Sequence, residues 1–284
     1  MNLSYHLVNV FTRNAEPLSG NPLCVFEDGS ELSGQTMQAI ARQFNLSETT
    51  FLTPSKNATA HVRIFTPSEE LPFAGHPTLG TSHIVRMRTG KSEVSLEMKA
   101  GVIPVSARGE RWTLQANGPR ARVPSQSKAE LAQVLGLAEA DIGESPLWVS
   151  TGREQLVVPL RSAEAVRNAR PQGDVFSRLK SEDGQSMAYV FADSGASVES
   201  RFFFPSGPAI LEDPATGSAC ANLGGWFVST QPGVAVERTI SQGEAVHRPS
   251  TLYLSVKYGP ASPADPRILV GGDVIELGRG AVSL

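Results

Sequence analysis

One segment of this chain occurs twice. Arg63-Ile64-Phe65-Thr66-Pro67-Ser68, a loop and Gly75-His76-Pro77-Thr78-Leu79-Gly80-Thr81 form the first copy. Arg201-Phe202-Phe203-Phe204-Pro205-Ser206, a loop and Glu212-Asp213-Pro214-Ala215-Thr216-Gly217-Ser218 form the second. Aligned on the prolines Pro77 and Pro214, the copies differ by one residue in the loop. Each reads as a strand, a loop, and a helix entered through proline, whose missing N–H suits the first helical turn. A repeat half a chain apart predicts two related domains. A helix start presents unpaired N–H groups and about half a positive charge, which favours a carboxylate. Gly80 and Gly217 clear side chains from the first turns. A pseudo-two-fold would aim both helix starts into one interdomain cleft, a frequent small-molecule site, with His76 and Asp213 on its opposite walls. Either residue alone reads equally well as a cap of an ordinary helix. The titratable residue before proline in both copies is what points to function.

The rest of the chain fits that frame. Residues 5–11 are β-rich, and a Gly-Asn-Pro turn at Gly20 to Pro22 leads into the apolar residues 23–26. Ser33 is a helix N-cap, Leu32 and Met37 are placed as a staple, and Met37, Ile40, Ala41 and Phe44 share a helical face that Asn45 ends. Strand chemistry returns at residues 46–52 and 61–66, a second helix is expected from Pro77, and residues 93–98, 102–106 and 112–116 follow as strands. The turn-rich residues 117–125 mark the domain boundary, giving domains 1–118 and 119–284, with the last residues able to pack back on the first. Ser127 to Glu130 is a capping box for a helix through Leu135. Residues 156–160, 188–192, 201–204, 252–256 and 268–270 read as strands. Residues 216–228 read as a helix with Ala219, Leu223, Trp226 and Phe227 on one buried face.

Composition removes several function classes. With 25 Lys+Arg against 28 Asp+Glu, the net charge of −3 offers no footprint for nucleic acid or an anionic membrane. Two cysteines cannot make a disulfide framework or a four-ligand zinc site. Cys24 in an apolar strand and Cys220 in a helix read as buried small hydrophobes. His76 and His83 lie about two helical turns, or ~10 Å, apart, too far to share one ion. No P-loop, GxSxG, GxGxxG or HExxH pattern occurs. No secretory leader pattern and no membrane-length apolar run is present, so a cytoplasmic location is expected.

Four motifs in order carry a resemblance to a known family. Gly20-Asn21-Pro22-Leu23, Asn45-Leu46-Ser47-Glu48-Thr49-Thr50-Phe51, Phe73-Ala74-Gly75-His76-Pro77-Thr78 and Glu212-Asp213-Pro214-Ala215-Thr216-Gly217-Ser218 resemble the signatures of the PhzF-like phenazine-biosynthesis proteins. The resemblance implies the diaminopimelate epimerase fold: α+β, two pseudo-symmetric domains, each a curved, barrel-like sheet around a central hydrophobic helix, with the active site in the interdomain cleft. It implies a cofactor-free isomerase, commonly a homodimer, acting on a small carboxylate. The best understood activity of the family isomerises trans-2,3-dihydro-3-hydroxyanthranilate by a proton shift from C3 to C1. Carried over by motif, Glu48 is the proton carrier, His76 and Asp213 are its catalytic neighbours, and Ser47, Gly75, Gly217 and Ser218 line the substrate. Epimerases of this fold use two cysteines. The matching positions here are Gly75 and Asp213, so two-cysteine epimerase or proline racemase chemistry is not expected.

Each residue also has a physical rationale. A glutamate in a partly apolar cleft suits general acid/base work, although most strand glutamates are merely solvated. His76 can hold or relay a proton near neutrality. Asp213 can bind a substrate amine or hydroxyl, and Ser218 can face a carboxylate or simply be small enough to pack. Phe73 and the loop Ser206-Gly207-Pro208-Ala209 are further pocket candidates. The competing reading is a non-catalytic small-anion or partner-binding protein on the same fold.

Overall fold

The computed structural model describes residues 1–259 and 262–284, which separate into two compact units: Met1–Gln115 with Gly271–Leu284, and Ala116–Val270. The first begins with strands β1 (Asn2–Val10) and β2 (Asn21–Phe26), helix α1 (Gly34–Phe44) and strands β3 (Glu48–Thr53), β4 (Ala60–Phe65) and β5 (Glu70–Leu71). Helix α2 (Gly75–Thr89) follows, then β6 (Glu93–Met98), β7 (Gly101–Arg108) and β8 (Arg111–Gln115). The second unit contains β9 (Arg120–Arg122), α3 (Lys128–Leu135), β10 (Leu147–Ser150), β11 (Glu154–Pro159), α4 (Ala163–Asn168), α5 (Gly173–Phe176), β12 (Ala188–Asp193), β13 (Ser197–Ser206) and β14 (Ala209–Asp213). It continues with α6 (Gly217–Thr230), β15 (Val236–Gln242) and β16 (Ser250–Gly259). The last strand, β17 (Ser262–Ser283), starts in the second unit and supplies its final segment to the first.

In the first unit the pairings close on themselves. β1 pairs antiparallel with β2, β2 parallel with β3, β3 antiparallel with β4, β4 parallel with β6, and β6, β7 and β8 follow as antiparallel neighbours. β17 pairs with both β8 and β1, completing a barrel. A parallel pair needs a crossover. α1 makes the one from β2 to β3 on the outside, and α2 makes the one from β4 to β6 through the barrel. α2 touches β1, β2, β3, β6, β7 and β8, and every residue from His76 to Val85 is buried. The second unit repeats the order. β10 and β11 are antiparallel, β11 and β12 parallel, β12 and β13 antiparallel, β13 and β15 parallel, and β15 and β16 antiparallel. Here α6 is the buried helix, packed on β9, β10, β11 and β16.

Local chemistry explains the elements. Ser33 accepts from the Thr36 amide to cap α1, Asn45 ends it in the left-handed conformation at φ 52°, and Met37, Ile40 and Ala41 are buried among Phe26, Phe51 and Phe65. The capping box of Ser127 and Glu130 opens α3, which packs with α4 and α5 on Trp148, Leu156 and Val158. The two buried helices differ from their expected form. α2 begins at Gly75, with Pro77 inside its first turn, and α6 begins at Gly217, with Pro214 outside it. α6 buries Cys220, Ala221, Asn222, Gly224 and Gly225 as well as Ala219, Leu223 and Phe227, because strands surround more than one face. Trp226 is the less buried member of the expected face, and its indole N–H reaches the Ser145 carbonyl at 2.7 Å.

Close packing inside the first barrel makes a prediction. A Cβ on Gly80 would lie 2.6 Å from Leu23 Cδ2 and 2.9 Å from Val10 Cγ2. Overpacking a filled core costs ~1–3 kcal/mol, against ~1 kcal/mol that alanine gains over glycine in a helix. Gly80→Ala is therefore expected to lower stability by about 1 kcal/mol, read as a lower urea midpoint, although alanine is the better helix former.

Candidate functional site

The first cluster of predicted residues lies where β3 meets the start of α2. Side chains alternate along a strand. Thr50 faces α2, its hydroxyl 2.9 Å from that of Thr81, while Phe51 faces outward and stacks on Phe26. Glu48 shares the face of Thr50 and meets His76, the second residue of α2, with Oε2 3.3 Å from Nδ1. The other ring nitrogen, Nε2, lies 3.4 Å from the Pro22 carbonyl oxygen. Gly20 lets the chain arrive there: its φ is +80°, and a Cβ would stand 2.5 Å from the Val10 carbonyl oxygen.

Protonation follows from these contacts. A carbonyl only accepts, so Nε2 carries the proton of the neutral ring and Nδ1 turns its lone pair toward Glu48. Burial drives the His76 pKa down to about 4, against a smaller upward pull from the Pro22 carbonyl, so the ring is neutral at physiological pH. Gly75 opens the helix beside this pair, Ser47 is exposed in the turn before β3, and Phe73 is partly buried in the approach to α2.

The second cluster lies at the start of α6. Asp213 is the last residue of β14, and its carboxylate accepts from the Thr216 hydroxyl. Gly217 and Ser218 are the first two residues of the helix. Ser218 ends a buried amide chain. Thr151 donates through its backbone N–H and its hydroxyl to Asn222 Oδ1, both at 2.8 Å, and Asn222 Nδ2 donates to Gln155 Oε1 at 2.8 Å. Gln155 Nε2 then donates to Ser218 Oγ at 3.0 Å. A backbone N–H can only donate, so every amide in the chain has one orientation and the Ser218 hydroxyl is an acceptor toward Gln155. Its own proton points elsewhere, as a donor. Thr151, Gln155 and Asn222 were not singled out in the sequence. An asparagine inside the apolar run of α6 was the available signal, since a buried polar side chain needs partners.

The structure resets the register of the repeat. β4 pairs with β5 so that Phe65 faces Glu70 and Ile64 faces Leu71, and β13 pairs with β14 so that Phe203 faces Glu212 and Phe202 faces Asp213. Asp213 therefore corresponds to Leu71, Gly217 to Gly75 and Ser218 to His76. The expected match of His76 with Asp213 fails because the second hairpin is longer. Ser206 to Ala209 forms its exposed tip, at the other end of β14 from Asp213 and about 13 Å away at the rise of a strand. That loop is not brought to Asp213.

The two buried helices share a further feature. Ser33, Ser127 and Ser162 cap α1, α3 and α4 with their side chains, whereas Ala74 before α2 and Thr216 before α6, like Gln172 before the one-turn α5, make no side-chain cap. Helix starts of this kind accept anions.

Comparison with known proteins agrees with this layout. The family model described as phenazine biosynthesis-like protein matches residues 8–280. The chain belongs to this family. An uncharacterized isomerase of Pasteurella multocida is 38% identical over 282 residues, covering 98% of this chain and 93% of the relative. The trans-2,3-dihydro-3-hydroxyanthranilate isomerase of Pseudomonas aeruginosa is 35% identical, covering 88% of each. A crystal structure of a Bacillus anthracis PhzF-family phenazine biosynthesis protein superposes over 100% of both chains with a TM-score of 0.89 at 25% identity. A probable proline racemase from Agrobacterium radiobacter shares the fold, with a TM-score of 0.61 at 12% identity over 99% of this chain and 93% of that one. The phenazine biosynthesis-like chain is thus an isomerase-family enzyme on the epimerase-type α+β fold.

In this chain α2 opens at Gly75 and α6 at Gly217, and none of Gly75, Asp213 and Gly217 carries a thiol. Cys24 and Cys220 are buried, and burial pushes both thiols far above their ordinary pKa. Among the described residues no group of three or more His, Cys, Asp or Glu is placed to hold a metal ion, and no helix is long and apolar enough to cross a membrane.

Proposed function

We propose that this phenazine biosynthesis-like protein is a cofactor-independent isomerase that moves a proton within a small carboxylate substrate, with Glu48 as the proton carrier. The observation that supports this most is the Glu48–His76 contact. The Nδ1 lone pair of a neutral imidazole lies 3.3 Å from Glu48 Oε2. Once Glu48 has taken a proton from carbon, the neutral Nδ1 beside Oε2 presents no competing positive charge, and the acid is held until the proton returns to a second carbon. His76 steadies the proton without charging, because its Nε2–H stays on Pro22. Catalysis of this kind is general acid/base work by one carboxyl group acting in both directions.

Taken by itself, the second unit offers an uncapped start of α6 with Gly217 and the Ser218 hydroxyl, donors suited to a carboxylate. Asp213 accepts from a substrate amine or hydroxyl. The substrate named for the Pseudomonas aeruginosa relative, trans-2,3-dihydro-3-hydroxyanthranilate, has these groups and an acidic C–H, and is the first to test. Incubation in deuterated buffer, followed by proton NMR, is expected to show substrate loss with deuterium entering C1. A substrate left unchanged would reject it and direct the search to other small carboxylates with an acidic C–H. An unchanged panel that nonetheless binds would favour a non-catalytic anion-binding role.

A further inference from the structure

The side chain of Gln242, the last residue of β15, is buried and touches no predicted site residue except through the backbone, yet its contacts converge on Asp213. Gln242 Nε2 donates to the Asp213 carbonyl oxygen at 2.8 Å, and Gln242 Oε1 accepts from the Thr216 N–H at 3.3 Å. Those two backbone partners fix which end of the amide is which, since one can only accept and the other can only donate. The same Nε2 lies 3.1 Å from Thr216 Oγ1. With an amide N–H pointing at it, the Thr216 oxygen is an acceptor on that side, and its single proton goes to Asp213 Oδ2. The neighbouring carboxylate, Glu212, is taken by Arg201 at 2.7 Å.

We propose that Gln242 is a positioning residue for Asp213: it turns the Thr216 hydroxyl onto Oδ2 of the carboxylate and so holds the orientation of the Asp213 side chain. This rests on the reading of Asp213 as a site residue. The same arrangement explains why Thr216, in the N-cap position, does not cap α6. Its hydroxyl is directed backward to Asp213, and the helix start stays open to an anion. The relay is not legible from local pattern, because Gln242 lies 26 residues beyond Thr216, on β15.

The test needs no substrate. The Asp213 carboxyl carbon is followed by carbon-13 NMR across an acid titration of the full chain, its signal assigned by loss in Asp213→Asn. A hydrogen bond to a charged group contributes ~1.5–3 kcal/mol, so removing the donor should raise the midpoint by about one unit or more. That rise is expected in Thr216→Val and, to a smaller extent, in Gln242→Met, which leaves the hydroxyl undirected. Thr216→Ser keeps the hydroxyl and should titrate like the parent. An unmoved midpoint in Thr216→Val, a Thr216→Ser variant shifted as far as valine, or a Gln242→Met variant identical to the parent would each overturn the proposal. Normal turnover by Asp213→Asn would instead overturn the role of Asp213 and leave the relay standing.

Discussion

Glu48→Gln is expected to fold and bind like the parent and to lose turnover by at least about a thousandfold, the upper part of the range for a general acid/base group. Glutamine keeps the shape of the side chain, and its amide N–H can still donate to His76 Nδ1. What it cannot do is accept a proton from carbon. Deuterium incorporation into substrate should therefore vanish along with net isomerisation, because both depend on the same proton. A substitution that only weakened binding would raise KM and spare kcat. Loss of kcat with unchanged KM is the expected signature, measured by NMR progress curves over a range of substrate concentrations. Retained exchange in Glu48→Gln would move the proton carrier elsewhere. His76 does not take over in that variant, because the glutamine N–H occupies its Nδ1 lone pair and its Nε2–H is committed to Pro22.

The same pair shows what the chain's pattern could and could not reveal. Strand chemistry was legible at residues 46–52, but which side of β3 faces the helix was not, because both of its faces are buried. The Ser33, Asn45 and Ser127 signals also mark local events, decided within one turn, and they hold in the structure. The reach of Pro22 O to His76 and the amide chain from Thr151 to Ser218 were not visible. They join residues 54 and 63 or more positions apart, the first through a backbone carbonyl and the second mainly through side-chain amides. The helix starts were misplaced for a physical reason. Proline is tolerated both inside the first turn, as Pro77 is, and just before a helix, as Pro214 is, so proline alone does not fix which. The register of the repeat is set instead by the hairpins, whose Arg and Glu partners are 7 apart in one copy and 11 in the other.

Those hairpins make the second large prediction, because the same ion pair occurs in both units with different surroundings. Arg201→Met is expected to cost about 3–5 kcal/mol, the usual cost of leaving one member of a buried pair alone. The side chains of Arg201 and Glu212 are 11% and 7% exposed, and the arginine also donates to the carbonyls of Val166, Arg167 and Ala169 around the end of α4. Arg63→Met should cost less, about 1–2 kcal/mol, because Arg63 is 27% exposed and Glu70 keeps Lys99 at 2.7 Å. The double variant Arg201→Met/Glu212→Leu should recover most of the loss, since no stranded charge remains. Urea unfolding of the three variants measures this, and equal losses for the two arginines would refute it. Acid gives a second test of the first hairpin. The Arg63 guanidinium, with Lys99, holds the Glu70 carboxyl down at about 2 despite partial burial. A depressed carboxyl stabilises the fold fully above its ordinary value near 4.5 and loses that contribution as pH falls toward 2. The stability gap between the parent and Arg63→Met should therefore be constant above pH ~5 and close between about pH 4.5 and 2, as the proton takes the place of the guanidinium.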